Sequence, residues 1–327
     1  MPPRWRLPLL VLGFVSLVLG IAGGLSRLTG IPVPIAAAAF HGPLMVSAFF
    51  GTLIALERAA ALDSPWAYAA PLCAGLGGLA LLSGFALAGF ALMILAAGVF
   101  CAASGVVVQR QPSLETWTLL GGAAAWLAGN VMLVEGRAAV PWWIAFFALT
   151  IGGERLELSR YLKRGRAVRA SFAVLALALL LTPLVPQAMG IVLALLAAWL
   201  LRYDLARVTV RQAGLPRYVA VCLLAGYFWL VLGGALIAAA TAYDAALHAV
   251  FVGFVFSMVF GHAPVILPAV LRLRFPYSPL LYAPLALLHA SLAVRVALSV
   301  KIGAWGNALA IALFIVTAAT LVLRRPK

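Results

Sequence analysis

The sequence predicts an all-α, polytopic membrane protein with about twelve transmembrane helices. Of its 327 residues, 65% are hydrophobic and only 9% are charged, whereas about a quarter of the residues in a soluble domain are charged. So few charged side chains could not cover a water-facing surface, and lipid must therefore be the main solvent. The apolar residues also form runs long enough to cross a bilayer, separated by proline, glycine and basic residues.

Apolar segments of roughly 17–29 residues, the length that crosses ~30 Å of hydrocarbon, follow one another along the chain. We expect helices at about 7–26, 34–60, 66–84, 87–108, 115–134, 141–161, 169–185, 187–203, 216–240, 244–272, 279–299 and 303–323. The first segment is long enough to be a retained helix rather than a cleaved signal peptide. The least distinct boundaries are Ser83-Gly84, between helices 3 and 4, and the region around Pro186, between helices 7 and 8.

The basic residues predict that both termini are cytoplasmic. With the N-terminus inside, the positive-inside rule places all but four of the 23 lysines and arginines in cytoplasmic segments. The four exceptions are Arg27, Arg137, Arg295 and Lys301. Topology therefore explains the net charge of +15 without a nucleic-acid partner. We expect a multi-pass protein in the inner membrane of a bacterium, with the lipid bilayer as its main partner.

Similar segments recur along the chain. Helix 2 contains FFGTLIALER from Phe49 to Arg58, and helix 6 contains FFALTIGGER from Phe146 to Arg155. Shifting helix 2 by 207 residues also aligns His41 with His248 on helix 10. Since helices 2, 6 and 10 are four apart, we expect three pseudo-repeated four-helix units, at about 1–110, 111–208 and 209–327. Chance similarity between apolar helices is the alternative.

The four histidines of the chain are the main candidates for a functional site. His41, His248, His262 and His289 all lie inside expected helices. A polar ring in lipid is unfavourable unless it has a partner, so an intramembrane histidine suggests function. The alternative is a histidine that only forms a hydrogen bond with a neighbouring helix.

The expected depths of the histidines suggest two pairs. His41 and His248 both fall near the outer ends of their helices. His262 follows His248 by 14 residues, on the same helix face and about 21 Å further along. His289 is expected at the depth of His262, nearer the membrane centre. Two stacked pairs of imidazoles suit the axial ligation of one or two haem b groups, and Arg295 is placed to contact haem propionates near the outer edge.

The overall pattern resembles two families of haem proteins. Twelve helices in a three-by-four arrangement, with outer histidines on helices 2 and 10, resemble the catalytic subunit of haem–copper oxidases. The segments HGPLMVSAFFGTLIALER and LHAVFVGFVFSMVFGHAP are similar to those of NnrS-type membrane haem proteins linked to nitric oxide. The oxidase resemblance implies that His41 and His248 hold a low-spin haem.

This chain departs from the oxidases at their binuclear centre. It has no histidine on helices 6 and 7, and no adjacent histidine pair on helix 10. Oxygen reduction at a haem–copper centre is therefore not expected. We expect a haem protein that transfers electrons from a donor protein or that responds to nitric oxide or another diatomic gas.

Two other functions remain open from the sequence. The histidines could relay protons in a proton-coupled transporter or channel, where interrupted helices line the substrate site. Alternatively, the i,i+4 pairs His41–Met45 and Met258–His262 could bind copper(I), which favours soft ligands. Ordinary membrane packing also explains these methionines.

Charged residues cluster where helices 2 and 6 are expected to meet the cytoplasm. Glu57-Arg58 ends helix 2, and Glu154-Arg155 with Glu157 ends helix 6. One interpretation is a clamp of ion pairs that joins helices. The other is a site of proton entry, since a buried carboxylate in such a network can titrate.

Overall fold

The computed structural model describes residues 3–159 and 165–323, and within these ranges all regular structure is helical. This confirms the all-α fold class. The main helices are α1 Arg6–Thr29, α2 His41–Leu62, α3 Pro65–Leu82, α4 Ala86–Arg110, α5 Leu114–Val134, α6 Val140–Leu158, α7 Arg166–Leu181, α8 Pro186–Tyr203, α9 Leu215–Ala238, α10 Tyr243–Leu271, α11 Pro279–Ala297 and α12 Val300–Leu323. Each coincides with one of the twelve expected segments.

Ten of these described helices are long and apolar enough to cross a membrane, which confirms a polytopic membrane protein. The other two are α6 and α7. Helix α6 has three charged residues among its last five, which lower its hydropathy. The last residues of its expected span, 160 and 161, lie outside the described residues. Helix α7 has 16 residues, which span about 24 Å at 1.5 Å per residue.

The break between α3 and α4 is a well-formed turn despite its weak sequence signal. Gly84 has a φ of +86°, in the left-handed region that favours glycine. The N–H of Phe85 donates to the carbonyl oxygen of Ala80 at 2.9 Å. This six-to-one hydrogen bond is the mark of a Schellman motif, which ends a helix.

Contacts within the chain divide it into two compact units. One runs to Thr150 and includes Val270–Arg272, and the other comprises Ile151–Ala269 and the chain from Leu273. The boundary falls inside α6. The three repeat units expected from the sequence concern internal similarity, which this division does not test, and they stay a prediction.

Helices α2 and α10 share an unusual conformation. In α2 a π-helical segment, Leu44–Phe50, begins three residues after His41. In α10 a π-helical segment, Ala249–Phe256, begins directly after His248. Such segments are rare and often occur at functional sites. The two helices that share a histidine in the sequence alignment therefore also share a local distortion beside it.

Aromatic side chains of α2 and α6 form part of the core of the first unit. The ring centroids of Phe50 and Phe147 lie 4.9 Å apart, in an edge-to-face arrangement. Phe146 stacks on Trp126 of α5 at 5.4 Å. The Phe-Phe pairs that suggested a repeat are thus in contact with each other.

In the second unit, small residues bring α8 and α9 close together. A Cβ atom on Gly190 would meet the backbone of Gly234 and Ala238, and one on Gly234 would lie 2.7 Å from the carbonyl oxygen of Gly190. Close approach of backbones at small residues is a common way of packing membrane helices.

Candidate functional site: four membrane histidines

His41 is held against the first helix by its Nδ1 atom. This nitrogen lies 2.6 Å from the carbonyl oxygen of Gly20 in α1. Because a carbonyl oxygen can only accept, Nδ1 carries the proton and Nε2 carries the lone pair. Gly24 makes room for the ring, since a Cβ atom there would lie 2.8 Å from its Cε1 atom.

His248 has the same tautomer and also an acidic neighbour. Its Nδ1 lies 2.8 Å from the carbonyl oxygen of Asp244, one turn earlier in α10. The Asp244 Oδ1 lies 3.3 Å from the same nitrogen. Both Asp244 oxygens accept from Arg295 of α11, at 2.8 and 2.9 Å. The outcome is a chain of three side chains that ends at the imidazole.

His262 repeats this backbone contact in the second half of α10. Its Nδ1 lies 2.7 Å from the carbonyl oxygen of Met258, so its lone pair is also on Nε2. That Nε2 atom is buried and has no hydrogen-bond partner among the described residues. A buried polar atom without a partner is unfavourable, and it suggests a missing ligand.

His289 differs from the other three. The indole N–H of Trp229 donates to its Nδ1 at 2.9 Å, so the proton of the neutral ring lies on Nε2. That nitrogen lies 3.4 Å from Ser257 Oγ, and the hydroxyl itself donates to the carbonyl oxygen of Cys222 at 2.7 Å. Both ring nitrogens of His289 are therefore engaged, which disfavours it as a metal ligand.

The expected pairs of histidines are only partly addressed by these contacts. His41 belongs to the first unit and the other three to the second, so the pairing of His41 with His248 stays a prediction. His289 was expected to pair with His262. The residue of α10 that forms a hydrogen bond with His289 is Ser257, which lies five residues before His262. Arg295 was expected to bind propionates. It pairs with Asp244 and is 8% exposed, and its contact with propionates stays a prediction.

Two glycines of α10 lie close to side chains of α9, so the space beside them is occupied by the protein itself. A Cβ atom on Gly253 would overlap the side chain of Trp229, and one on Gly261 would lie 3.0 Å from the Cβ atom of Cys222. These glycines accommodate helix packing between α9 and α10. Beside His41, a Cβ atom on Gly42 would meet only Trp143, at 3.5 Å.

A bare metal ion and a haem group need different numbers of side-chain ligands. Within the described ranges, no group of three or more histidine, cysteine, aspartate or glutamate residues is placed to hold a metal ion. Haem has a different requirement, because its porphyrin supplies four ligands and the protein only one or two axial ones. An imidazole that carries its lone pair on Nε2 suits that requirement.

A buried ion pair lies at the end of α6. Arg155 Nε and Nη2 donate to the two carboxylate oxygens of Asp204, at 2.8 and 3.0 Å. The hydroxyl of Tyr227 donates to Oδ2 at 3.0 Å, and the N–H of Ala206 donates to Oδ1. A clamp of ion pairs between helices is thus present at Arg155, but its partner follows α8 rather than lying on α6.

The other members of the expected charged cluster have intermediate burial. Glu57 and Arg58 lie near the end of α2, and Glu154 and Glu157 near the end of α6. Their role in proton entry stays a prediction.

Sequence reasoning missed a polar cluster in the first unit. Ser47 in the π-helical segment of α2 donates to Asn130 Oδ1 at 2.6 Å, and Trp143 Nε1 donates to the same oxygen at 3.2 Å. Trp126 donates to Ser47 Oγ, also at 3.2 Å. The neighbouring Trp142 has a buried Nε1 without an acceptor among the described residues. A lone asparagine within an apolar segment was the available signal.

Comparison with known proteins gives one match. The family model described as a domain of unknown function (DUF8744) matches residues 6–323, from the start of α1 to the end of α12. No curated protein matches the chain, and no solved structure matches it.

Proposed function

The chain belongs to the DUF8744 family, and we propose that it is a haem-binding protein of a bacterial inner membrane, with His41, His248 and His262 as axial ligands. The observation that carries this proposal is the common tautomer of the three histidines. Each donates from Nδ1 to a backbone carbonyl oxygen, so each has its lone pair on Nε2.

A hydrogen bond from Nδ1 is the usual second-shell contact of a metal-binding histidine. It fixes the tautomer, orients the ring and increases electron donation from Nε2. A histidine that served only to join helices could use either nitrogen, as His289 does. The proton is on Nδ1 in all three rings, and this shared tautomer favours ligation of a metal over simple helix packing.

Two unpaired buried atoms support haem as the ligand. In the second unit the lone pair of His262 Nε2 could bind an iron atom. In the first unit, as a separate observation, the N–H of Trp142 could donate to a carboxylate such as a propionate. Bound haem would supply one-electron chemistry or a position for a diatomic gas such as nitric oxide. The residues described here would hold it, fix its axial ligands and exclude water. The proposal includes one or two haem groups and a separate protein that donates electrons to them.

The test is the absorption spectrum of the full-length protein, purified in detergent after supplementation with hemin. We expect a Soret band, with α and β bands of bis-imidazole haem on reduction. Single variants His41→Ala, His248→Ala and His262→Ala identify the ligands, because loss of one axial imidazole changes the spin state. His289→Ala is the matched control and should keep the spectrum. A colourless wild-type protein, or three ligand variants with unchanged spectra, would refute the proposal.

A proton-coupled transporter is the second candidate, and the carboxylate of Asp204 favours it. This side chain is 0% exposed and contacts both Arg155 and Tyr227, a setting in which intramembrane acids take part in proton relays. Uptake of a pH-sensitive dye into proteoliposomes would test it. Metal analysis of the same preparation tests copper, for which His41–Met45 and Met258–His262 are the candidate pairs.

A further inference from the structure

We propose that Asp244 and Arg295 are positioning residues for His248, and that the Asp244 carboxylate sets the electron donation of the imidazole toward bound iron. This inference rests on the proposed function, because it assigns His248 as an axial ligand. It adds a carboxylate–imidazole pair, held by an arginine, that controls the reduction potential of the haem.

Arg295, Asp244 and His248 lie in a row, with the carboxylate between the guanidinium and the imidazole. Arg295 holds both oxygens of Asp244, which fixes the plane of the carboxylate. With the plane fixed, Oδ1 lies 3.3 Å from His248 Nδ1, and the backbone carbonyl oxygen of Asp244 lies 2.8 Å from the same atom. The Nδ1–H group therefore faces two oxygen atoms of a single residue, one neutral and one charged.

The exposure of these side chains fits a role in positioning. The Arg295 side chain is 8% exposed and that of Asp244 is 40% exposed. A half-exposed ion pair adds little stability, so stability alone does not explain why a buried arginine is committed to this aspartate. Orientation of the carboxylate toward a ligand histidine does explain it, since second-shell carboxylates orient the ring and raise its basicity.

The expected consequence is a lowered reduction potential. The charge of the carboxylate, 3.3 Å from Nδ1, adds to the hydrogen bond from Nδ1–H to the backbone carbonyl oxygen and gives the imidazole more of the character of imidazolate. The stronger donor favours ferric over ferrous iron. The change Asp244→Asn should therefore raise the midpoint potential, and the bis-imidazole absorption bands should persist because His248 still binds. The change His248→Ala should instead remove those bands.

Charge alone predicts the same sign for Asp244→Asn, so a second variant is needed. Arg295→Gln removes the cation and leaves the carboxylate, and it should lower the midpoint potential. The double variant Asp244→Asn/Arg295→Gln has the same net charge as the wild type but lacks the carboxylate. If the carboxylate acts through the imidazole, the potential of the double variant stays above that of the wild type. An effect that depended only on net charge, and not on which group lies beside the ring, would return it to the wild-type value.

The experiment is a redox titration of the hemin-loaded, full-length protein followed by absorption, with low-spin electron paramagnetic resonance as a second readout of imidazolate character. Arg295→Lys retains the cation and should leave the potential near that of the wild type, even if Arg295→Gln folds poorly. Glu135→Gln is the control for the loss of one exposed carboxylate, because Glu135 pairs with Arg137 at 3.4 Å and contacts no histidine through that pair.

The outcomes separate this inference from the proposed function. An unchanged potential in Asp244→Asn, or a wild-type potential in the double variant, overturns the inference and leaves haem binding in place. Retention of the bis-imidazole bands in His248→Ala also overturns it, because His248 is then not an axial ligand. A wild-type protein that binds no hemin overturns both.

Discussion

The second unit contains two arginine–aspartate pairs with nearly the same geometry and different surroundings. In both, Nε and Nη2 of the arginine contact the two oxygens of the aspartate, at 2.8–3.0 Å. Asp204 uses its remaining acceptor capacity for the hydroxyl of Tyr227 and the N–H of Ala206. Asp244 faces the ring of His248 instead.

The difference shows how one pair of residue types can serve structure or chemistry. The Arg155–Asp204 pair is closed, because each partner of the carboxylate is fixed and the aspartate side chain is 0% exposed. The Arg295–Asp244 pair is open, with an aspartate that is 40% exposed and beside a ring that can bind a ligand. We infer that the closed pair mainly maintains the fold and that the open pair mainly adjusts a histidine.

Breaking the closed pair should have the largest effect on stability. Removal of one partner leaves an uncompensated buried charge, so Arg155→Ala should lower the free energy of unfolding by about 3–5 kcal/mol. Unfolding of the detergent-solubilised protein by titration with a denaturing surfactant would measure this. The control is Arg155→Met/Asp204→Leu, which removes both charges and should recover most of the loss. A single variant as stable as the wild type would show that the pair is solvated.

This pair also shows how far the sequence predicts the fold. Composition and the spacing of apolar runs predicted the twelve main helices of the described residues, because lipid requires long apolar segments, and ten of them are long and apolar enough to cross a membrane. The Glu-Arg pattern indicated a clamp of ion pairs that joins helices, but it did not identify the partner of Arg155. The actual partner, Asp204, is 49 residues from Arg155, and such a contact depends on packing that no local pattern encodes.

The sequence predicted the histidines of the candidate site, but it did not predict the residues that contact their rings. An imidazole in an apolar helix is conspicuous, so all four histidines could be named. The tautomers depend on which carbonyl oxygen or indole lies beside each ring, and tertiary packing decides this. Asp244 could have been identified from the sequence as a neighbour of His248, because it lies four residues earlier, on the same face of the helix.

Removal of a single hydrogen bond to the closed pair should have an intermediate effect. Tyr227→Phe leaves the Arg155–Asp204 contact but takes one donor from a buried carboxylate, and hydrogen bonds to charged groups contribute about 1.5–3 kcal/mol. We expect a loss of about 2 kcal/mol, measured by the same surfactant titration. Because the phenyl ring fills nearly the same space, packing should be preserved. A loss as large as that of Arg155→Ala would mean that Tyr227 holds the pair together.

The smallest effect on stability is expected at the open pair, Arg295–Asp244. A direct comparison of the two pairs is possible when the same substitution is made in both arginines. Arg295→Gln removes a cation whose partner is 40% exposed, so water can solvate the remaining carboxylate. Ion pairs with this exposure contribute about 1 kcal/mol or less, and we expect a loss no larger than that. The measurement is a parallel titration of Arg295→Gln and Arg155→Gln, which place the same neutral side chain in the two pairs. If both variants lost the same stability, the two pairs would be structural equivalents, and the special role of Asp244 beside His248 would lose its main support.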